Sequence, residues 1–269
     1  MSTSILDRSA PPADARIAYG AEPLQFADLR VPAKGTGPFP CVIALHGGFW
    51  RNRYDLEHLG HLCAALTAQG LATWNVEYRR VGDSGGGFPG TFHDVAAGAR
   101  HLFGHAAELG IDPHRVIVLG HSAGGHLASW LASMDRIPEH SPIRADPIPL
   151  HGAVPLAGVL DLERCEELGL SDDAVVGLLG GSPQEVPERY EEASPTRLVP
   201  SPVPHLLVQG TFDDIVPIEM SERYQVAATS AGALATVLSL PRADHFDVID
   251  PTSSTWPAIM RAIVALATG

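Results

Sequence analysis

Val116-Ile117-Val118-Leu119-Gly120-His121-Ser122-Ala123-Gly124-Gly125-His126-Leu127-Ala128-Ser129-Trp130-Leu131 is the stretch on which the reading of this chain turns. A short apolar run of strand length passes through Gly-x-Ser-x-Gly into a segment of helical character. A serine on so sharp a strand-to-helix turn has a strained backbone, and bulky neighbours two positions either side would collide. In return its hydroxyl stands at a helix N-terminus, where the dipole favours developing negative charge. A serine N-cap after a strand would explain the pentapeptide equally well. The rest of the chain has to decide.

The bulk properties narrow the field. A chain of 269 residues, 45% hydrophobic and 18% charged, fits one α/β domain over residues 1–269 with a sizeable core. The net charge is −13 and no run of Lys or Arg is present, which argues against nucleic acid and anionic membrane as partners. No apolar stretch reaches membrane-spanning length. Met1 to Tyr19 is polar and Pro-containing, without an apolar signal core, so a cytoplasmic location is expected. Cys41, Cys63 and Cys165 are odd in number, widely spaced and in no metal-ligand pattern, which fits a reducing compartment.

Strands are expected at Leu24 to Val31, Cys41 to Leu45, Ala72 to Val76, Val116 to Leu119, Ala153 to Leu156, Pro204 to Gln209 and Ala235 to Leu240. Helical patterns lie between them at Leu56 to Gln69, Phe92 to Leu109, Gly124 to Met134 and Ile218 to Ala231, with Thr255 to Ala267 at the end. This alternation predicts a mostly parallel sheet with helices on both faces, and Leu24 to Val31 as an antiparallel edge. Asp161 to Ser201 breaks the alternation. It is rich in Asp, Glu, Pro and Gly, with helical pieces at Asp172 to Leu179 and Pro187 to Ala193, and reads as a small cap over the C-terminal edge of the sheet. A solvated surface excursion is the alternative.

A serine nucleophile needs a base, and the base needs an orienting carboxylate. Of the 13 histidines, His245 follows the last strand and precedes the last helix, which puts it on the sheet edge that carries Ser122. The carboxylate expected is Asp213, in Gln209-Gly210-Thr211-Phe212-Asp213-Asp214-Ile215-Val216-Pro217, with Asp214 as local competitor. An oxyanion hole is expected from the N–H groups of Ala123 and Gly48, with Phe49, because His46-Gly47-Gly48-Phe49-Trp50 follows a strand and its glycines permit close backbone approach. Phe49, Trp50 and His121, with the cap, are the expected pocket residues. Gly85-Gly86-Gly87-Phe88-Pro89-Gly90 imitates a dinucleotide-binding fingerprint, but Asp112 comes before a strand rather than closing one, and Pro89 removes a donor where phosphate would need it.

Together these residues resemble the α/β-hydrolase superfamily, from about Leu24 to Ala267. Gly120-His121-Ser122-Ala123-Gly124-Gly125, then Gly210-x-x-Asp213-x-x-Val216-Pro217, then the His245 loop stand in that family's order. Within it, His46-Gly47-Gly48-Phe49-Trp50 resembles the bacterial esterases related to hormone-sensitive lipase and kynurenine formamidase, on the formamidase side because Phe49 replaces a third glycine. The resemblance implies a Ser-His-Asp hydrolase of small carboxylic esters or a small aryl formamide, with no metal or organic cofactor. It leaves open a homodimer. Alternatives are a small exopeptidase or amidase that holds a peptide terminus with Glu77, Arg79 or Arg80, and a ligand-binding member without turnover.

Overall fold

The computed structural model describes residues 5–269, so Met1 to Ser4 of the polar N-terminal segment lie outside the described residues. Eight strands form one sheet: β1 (Ala15–Ala18), β2 (Phe26–Arg30), β3 (Phe39–Leu45), β4 (Ala72–Val76), β5 (Ile111–His121), β6 (Gly152–Leu156), β7 (His205–Gly210) and β8 (Ala235–Leu240). Their order is β1-β2-β4-β3-β5-β6-β7-β8. The β1–β2 and β2–β4 pairs are antiparallel and all others parallel. Leu24 to Val31 is expected in an antiparallel edge, and its strand β2 lies there. Outside it stands β1, a four-residue strand in Ala15-Arg16-Ile17-Ala18 that is mostly exposed and carries no alternating signal.

The helices are α1 (Gly60–Thr67), α2 (Gly90–Gly104), α3 (Ala123–Leu131), α4 (Leu162–Glu167), α5 (Ala174–Leu179), α6 (Pro187–Ala193), α7 (Glu219–Ser230) and α8 (Trp256–Thr268). The central strand β3 shows why there are two helical layers. Cys41, Ile43 and Leu45 pack with Phe92 and Val95 of α2 and with Leu127 and Trp130 of α3. Val42 and Ala44 pack on the other face, with Leu62 and Leu66 of α1 and Ile259 and Ile263 of α8. Burial on both faces makes a parallel central strand a continuous apolar run rather than an alternating one.

The stretch from Asp161 to Ser201 holds α4, α5 and α6. The last two match the helical pieces read from sequence, and α4 was not anticipated. It starts at an N-cap, where the Asp161 carboxylate accepts from the Arg164 N–H at 3.0 Å. The stretch is fastened to the sheet's C-terminal edge. Arg51 donates to the Ser171 carbonyl at 2.5 Å, the Phe88 N–H to Leu178 at 2.8 Å, and the His126 ring to Ala193 at 2.9 Å.

Trp74 on β4 is fully buried and donates from Nε1 to the Gly98 carbonyl of α2 at 3.0 Å, with the His101 ring stacked on it. Trp74→Ala should therefore lower the unfolding free energy by about 3–5 kcal/mol, read from urea denaturation midpoints.

Candidate active site

Ser122 sits between β5 and α3 at φ 56°, ψ −118°. A non-glycine residue in that region is strained, and the strain persists only where the surroundings enforce it. They do so here. The Ser122 N–H donates to the Leu156 carbonyl at 2.8 Å, and the Ser122 carbonyl accepts from the N–H groups of His126 at 3.2 Å and Val159 at 3.3 Å. The flanking glycines are required by space. A Cβ on Gly120 would lie 2.0 Å from the Gly124 oxygen, and one on Gly124 would lie 2.0 Å from the Leu45 oxygen.

His245 and Asp213 meet as the sequence suggested. His245 Nδ1–H donates to Asp213 Oδ2 at 2.7 Å, and the His245 side chain is 4% and that of Asp213 0% exposed. Asp213 is fixed by further donors: Gln209 Nε2 to Oδ2 at 2.9 Å, and the Ile215 and Val216 N–H groups to Oδ1 at 3.0 and 2.8 Å. Asp214, the local competitor, makes no such contact with His245. Ser122 and His245 line one small cavity of about 90 Å³ together with Gly48, Phe49, Ile215 and Phe246.

The loop that carries Gly48 and Phe49 comes against Ser122. A Cβ on Gly47 would stand 3.1 Å from Ser122 Cβ and 2.9 Å from the His121 oxygen. Gly48, Phe49 and Trp50 all have positive φ, at 108°, 48° and 56°. Ala123 opens α3, so its N–H has no partner within the helix. A buried network supports the loop from behind. The two ring nitrogens of His46 lie 2.8 Å from the Gly47 carbonyl and 3.1 Å from the Glu77 carboxylate, and the ring stacks on Tyr78, whose hydroxyl donates to the His46 carbonyl at 2.6 Å. Arg80 adds an ion pair to Glu77 at 3.2 Å.

Two expected pocket residues stand elsewhere. Trp50 and His121 are fully buried and do not line the cavity. The positive φ of Trp50 turns its indole inward, where Nε1 donates to His126 Nδ1 at 3.1 Å. His121 lies beside His245, donating from Nε2 to the His245 carbonyl at 2.8 Å, which leaves its Nδ1 to accept from His58 Nε2 at 2.7 Å. Burial, with His245 and His58 nearby, holds His121 well below the ordinary histidine range. Burial, with His46 and His245, pushes His58 down to about 3. No residue of 161–201 lines the cavity. Five cavity residues were not read as site residues from sequence: Leu6, Tyr54, His58, Ile215 and Phe246. Tyr54 and His58 carried a faint signal, four and eight residues past Trp50 on the same connection.

The groups considered for a peptide terminus are engaged internally. Glu77 and Arg80 are 1% and 4% exposed, and Arg79 pairs with Asp94 at 2.8 Å. The glycine-rich segment serves that internal packing, since a Cβ on Gly86 would fall 1.8 Å from the Arg80 oxygen. All three cysteines are buried and unpaired. No helix among the described residues is long and apolar enough to cross a membrane.

Residues 27–227 match the BD-FAE family model. The chain is similar to a probable isoprenylcysteine alpha-carbonyl methylesterase of Arabidopsis thaliana, ICMEL1, at 26% identity over 94% of this chain and 55% of that protein. It is also similar to the probable carboxylic ester hydrolase LipM of Mycobacterium tuberculosis, at 25% over 83% and 53%, and to the kynurenine formamidase of Salmo salar, at 23% over 87% and 75%. The chain spans a little over half the length of the first two. Among solved structures, a truncated carbohydrate esterase from gut microbiota superposes with a TM-score of 0.80 at 20% identity, covering 96% of this chain and 99% of that one. Esterase B from Lactobacillus rhamnosis does so at 0.82 and 24%, covering 98% and 89%. The fold is the α/β-hydrolase fold.

Burial alone would raise the Glu77 pKa, but His46, Arg80 and the Tyr78 N–H outweigh it and hold the carboxyl below its ordinary value. Its stabilising contribution is thus fully present above the unfolded carboxylate pKa of about 4.3 and lost as pH falls through the folded value. Glu77→Gln should cost roughly 3–5 kcal/mol at pH 7, and urea titrations should show that gap closing below about pH 4.3.

Proposed function

The chain belongs to the BD-FAE family, and from that premise we propose that it is a serine hydrolase of small carboxylic esters. The observation that carries this reading is the 2.7 Å His245–Asp213 hydrogen bond, with the His245 ring in the same cavity as the strained Ser122. Ser122 Oγ attacks the carbonyl carbon while His245 Nε2 takes its proton. Asp213 holds Nδ1–H, which presents Nε2 as the base and favours the imidazolium once it forms. The tetrahedral oxygen takes hydrogen bonds from the N–H groups of Ala123 and Gly48, with Phe49 beside them. His245 then protonates the leaving oxygen, and water clears the acyl-enzyme by the same steps. The segment 161–201 acts as a cap that braces the oxyanion loop rather than as the pocket wall.

A small formamide is the second substrate class. It is supported by His46-Gly47-Gly48-Phe49-Trp50 and by the similarity to a fish kynurenine formamidase. The compact cavity suits a formyl group. Aminoacyl anilides should be inert, because Glu77, Arg79 and Arg80 are committed to internal partners. The three unpaired cysteines support a reducing, cytoplasmic setting.

The test is a substrate panel of p-nitrophenyl acetate, N-formylkynurenine and aminoacyl anilides. Ser122→Ala should lower kcat/KM on p-nitrophenyl acetate by several orders of magnitude, and Asp213→Asn by about 10⁴. Turnover that survives Ser122→Ala would overturn the mechanism. N-formylkynurenine hydrolysis exceeding that of all esters would move the assignment to the formamidase side.

A further inference from the structure

The N-terminal segment reads as a polar tail, yet it reaches the catalytic cavity. Ile5–Asp7 form one 3₁₀ turn. Its two ends are fastened to different parts of the fold. Ile5 is 5% exposed and belongs to the apolar cluster that includes Leu59, Val248 and Ile249. Arg8 pairs with Asp250 at 2.5 Å and donates to Thr252 Oγ1 at 3.3 Å, while its carbonyl accepts from His61 Nε2 at 3.2 Å. Asp250 is held in place by the Thr252 N–H and hydroxyl, each at 2.8 Å. Asp250 lies five residues past His245, so the turn is tied to the same loop that carries the base.

Between these two fastenings, Leu6 lines the cavity that holds Ser122, Gly48 and Phe49. An apolar side chain tied down on both sides cannot easily yield to a bulky substrate. The cavity is also small, about 90 Å³ against the ~300–1,000 Å³ of pockets for drug-sized ligands. The acyl carbon must sit between Ser122 and the Gly48–Phe49 loop, so a wall there limits the acyl chain.

We propose that Leu6 is a specificity-determining residue, fixed against the catalytic cavity by the Arg8–Asp250 pair, which restricts the enzyme to short acyl groups such as formyl, acetyl and propionyl. This rests on the reading of Ser122 as the nucleophile. Arg8 and Asp250 touch no substrate and act through the position of Leu6.

The experiment is an acyl-length series, p-nitrophenyl acetate through octanoate, on the full chain and three variants. Leu6→Ala removes the wall, Asp250→Asn loosens its fastening, and a chain beginning at Ser9 removes the turn. Each should raise the octanoate-to-acetate ratio of kcat/KM by about tenfold or more, because pocket contacts discriminate chain length on this scale. The double variant Leu6→Ala, Asp250→Asn should gain little beyond Leu6→Ala alone. Thermal unfolding and labelling by a fluorophosphonate identify which variants are folded with a reactive serine. An unmoved ratio in folded, labelled variants overturns the proposal and leaves the hydrolase reading intact. A wild-type chain whose Ser122 fails to label overturns the hydrolase reading itself.

Discussion

The backbone of Ser122, at φ 56° and ψ −118°, is the constraint from which the site follows. Such a conformation costs of the order of 1–3 kcal/mol and needs enforcement from outside. The Leu156 carbonyl on β6 and the N–H groups of His126 and Val159 supply it. That arrangement demands close approach of β5, β3 and α3, and only glycine permits this at positions 120 and 124. Once the elbow is closed, its neighbours have little freedom. Gly47 must pass within contact distance of Ser122, and Gly125 must pass against Gly158, where a Cβ would lie 2.7 Å from its Cα. The Gly47–Gly48 loop is therefore set by the same packing that sets Ser122.

Buried histidines do the remaining alignment. A neutral imidazole donates from one nitrogen and accepts at the other, so it can act as a strut between two different partners. His121 links His58 to the main chain of His245. His126 accepts from Trp50 and donates to Ala193, joining the Gly48–Trp50 loop, α3 and the end of α6. Burial depresses both, His126 to about 4, and so keeps the rings neutral at ordinary pH. His46 differs in kind, since both of its ring nitrogens face acceptors, the Gly47 carbonyl and the Glu77 carboxylate. One residue type thus serves as strut and as loop anchor, and the role is decided by whether its neighbours are donors or acceptors.

What was legible in the sequence follows from these physics. The central strands β3, β5 and β6 showed because burial on both faces leaves unbroken apolar runs, and the alternation of strands with helices then located the edge that carries Ser122, Asp213 and His245. The strand β1 did not show, because four residues exposed on an edge leave no periodic trace. Neither did α4, whose cap depends on Asp161 meeting its own third neighbour in an acidic stretch. Trp50 and His121 were read as pocket residues because they flank the site in sequence. The Trp50 indole N–H is taken by His126 in the core, and His121 is held between His58 and the His245 carbonyl, so neither position follows from adjacency. Leu6 is one apolar residue in a polar segment, and its place was fixed by contacts more than 200 residues away in sequence.

The loop from Gly48 to Trp50 shows how rigidity is obtained from outside the site. Three successive residues with positive φ, two of them not glycine, would not hold this shape alone. The Trp50 indole is locked into the core by His126, and the Arg51 N–H returns to the Gly48 carbonyl at 3.0 Å. The Arg51 side chain is tied to the Ser171 and Asp172 carbonyls, and Phe88 is tied to Leu178. The segment 161–201 contributes these last contacts without reaching the cavity. Donors for a developing oxyanion are useful only if they need not reorganise when charge appears. On the proposed reading, a segment that braces the loop from behind acts on the chemistry through the rigidity of the loop rather than by lining the pocket.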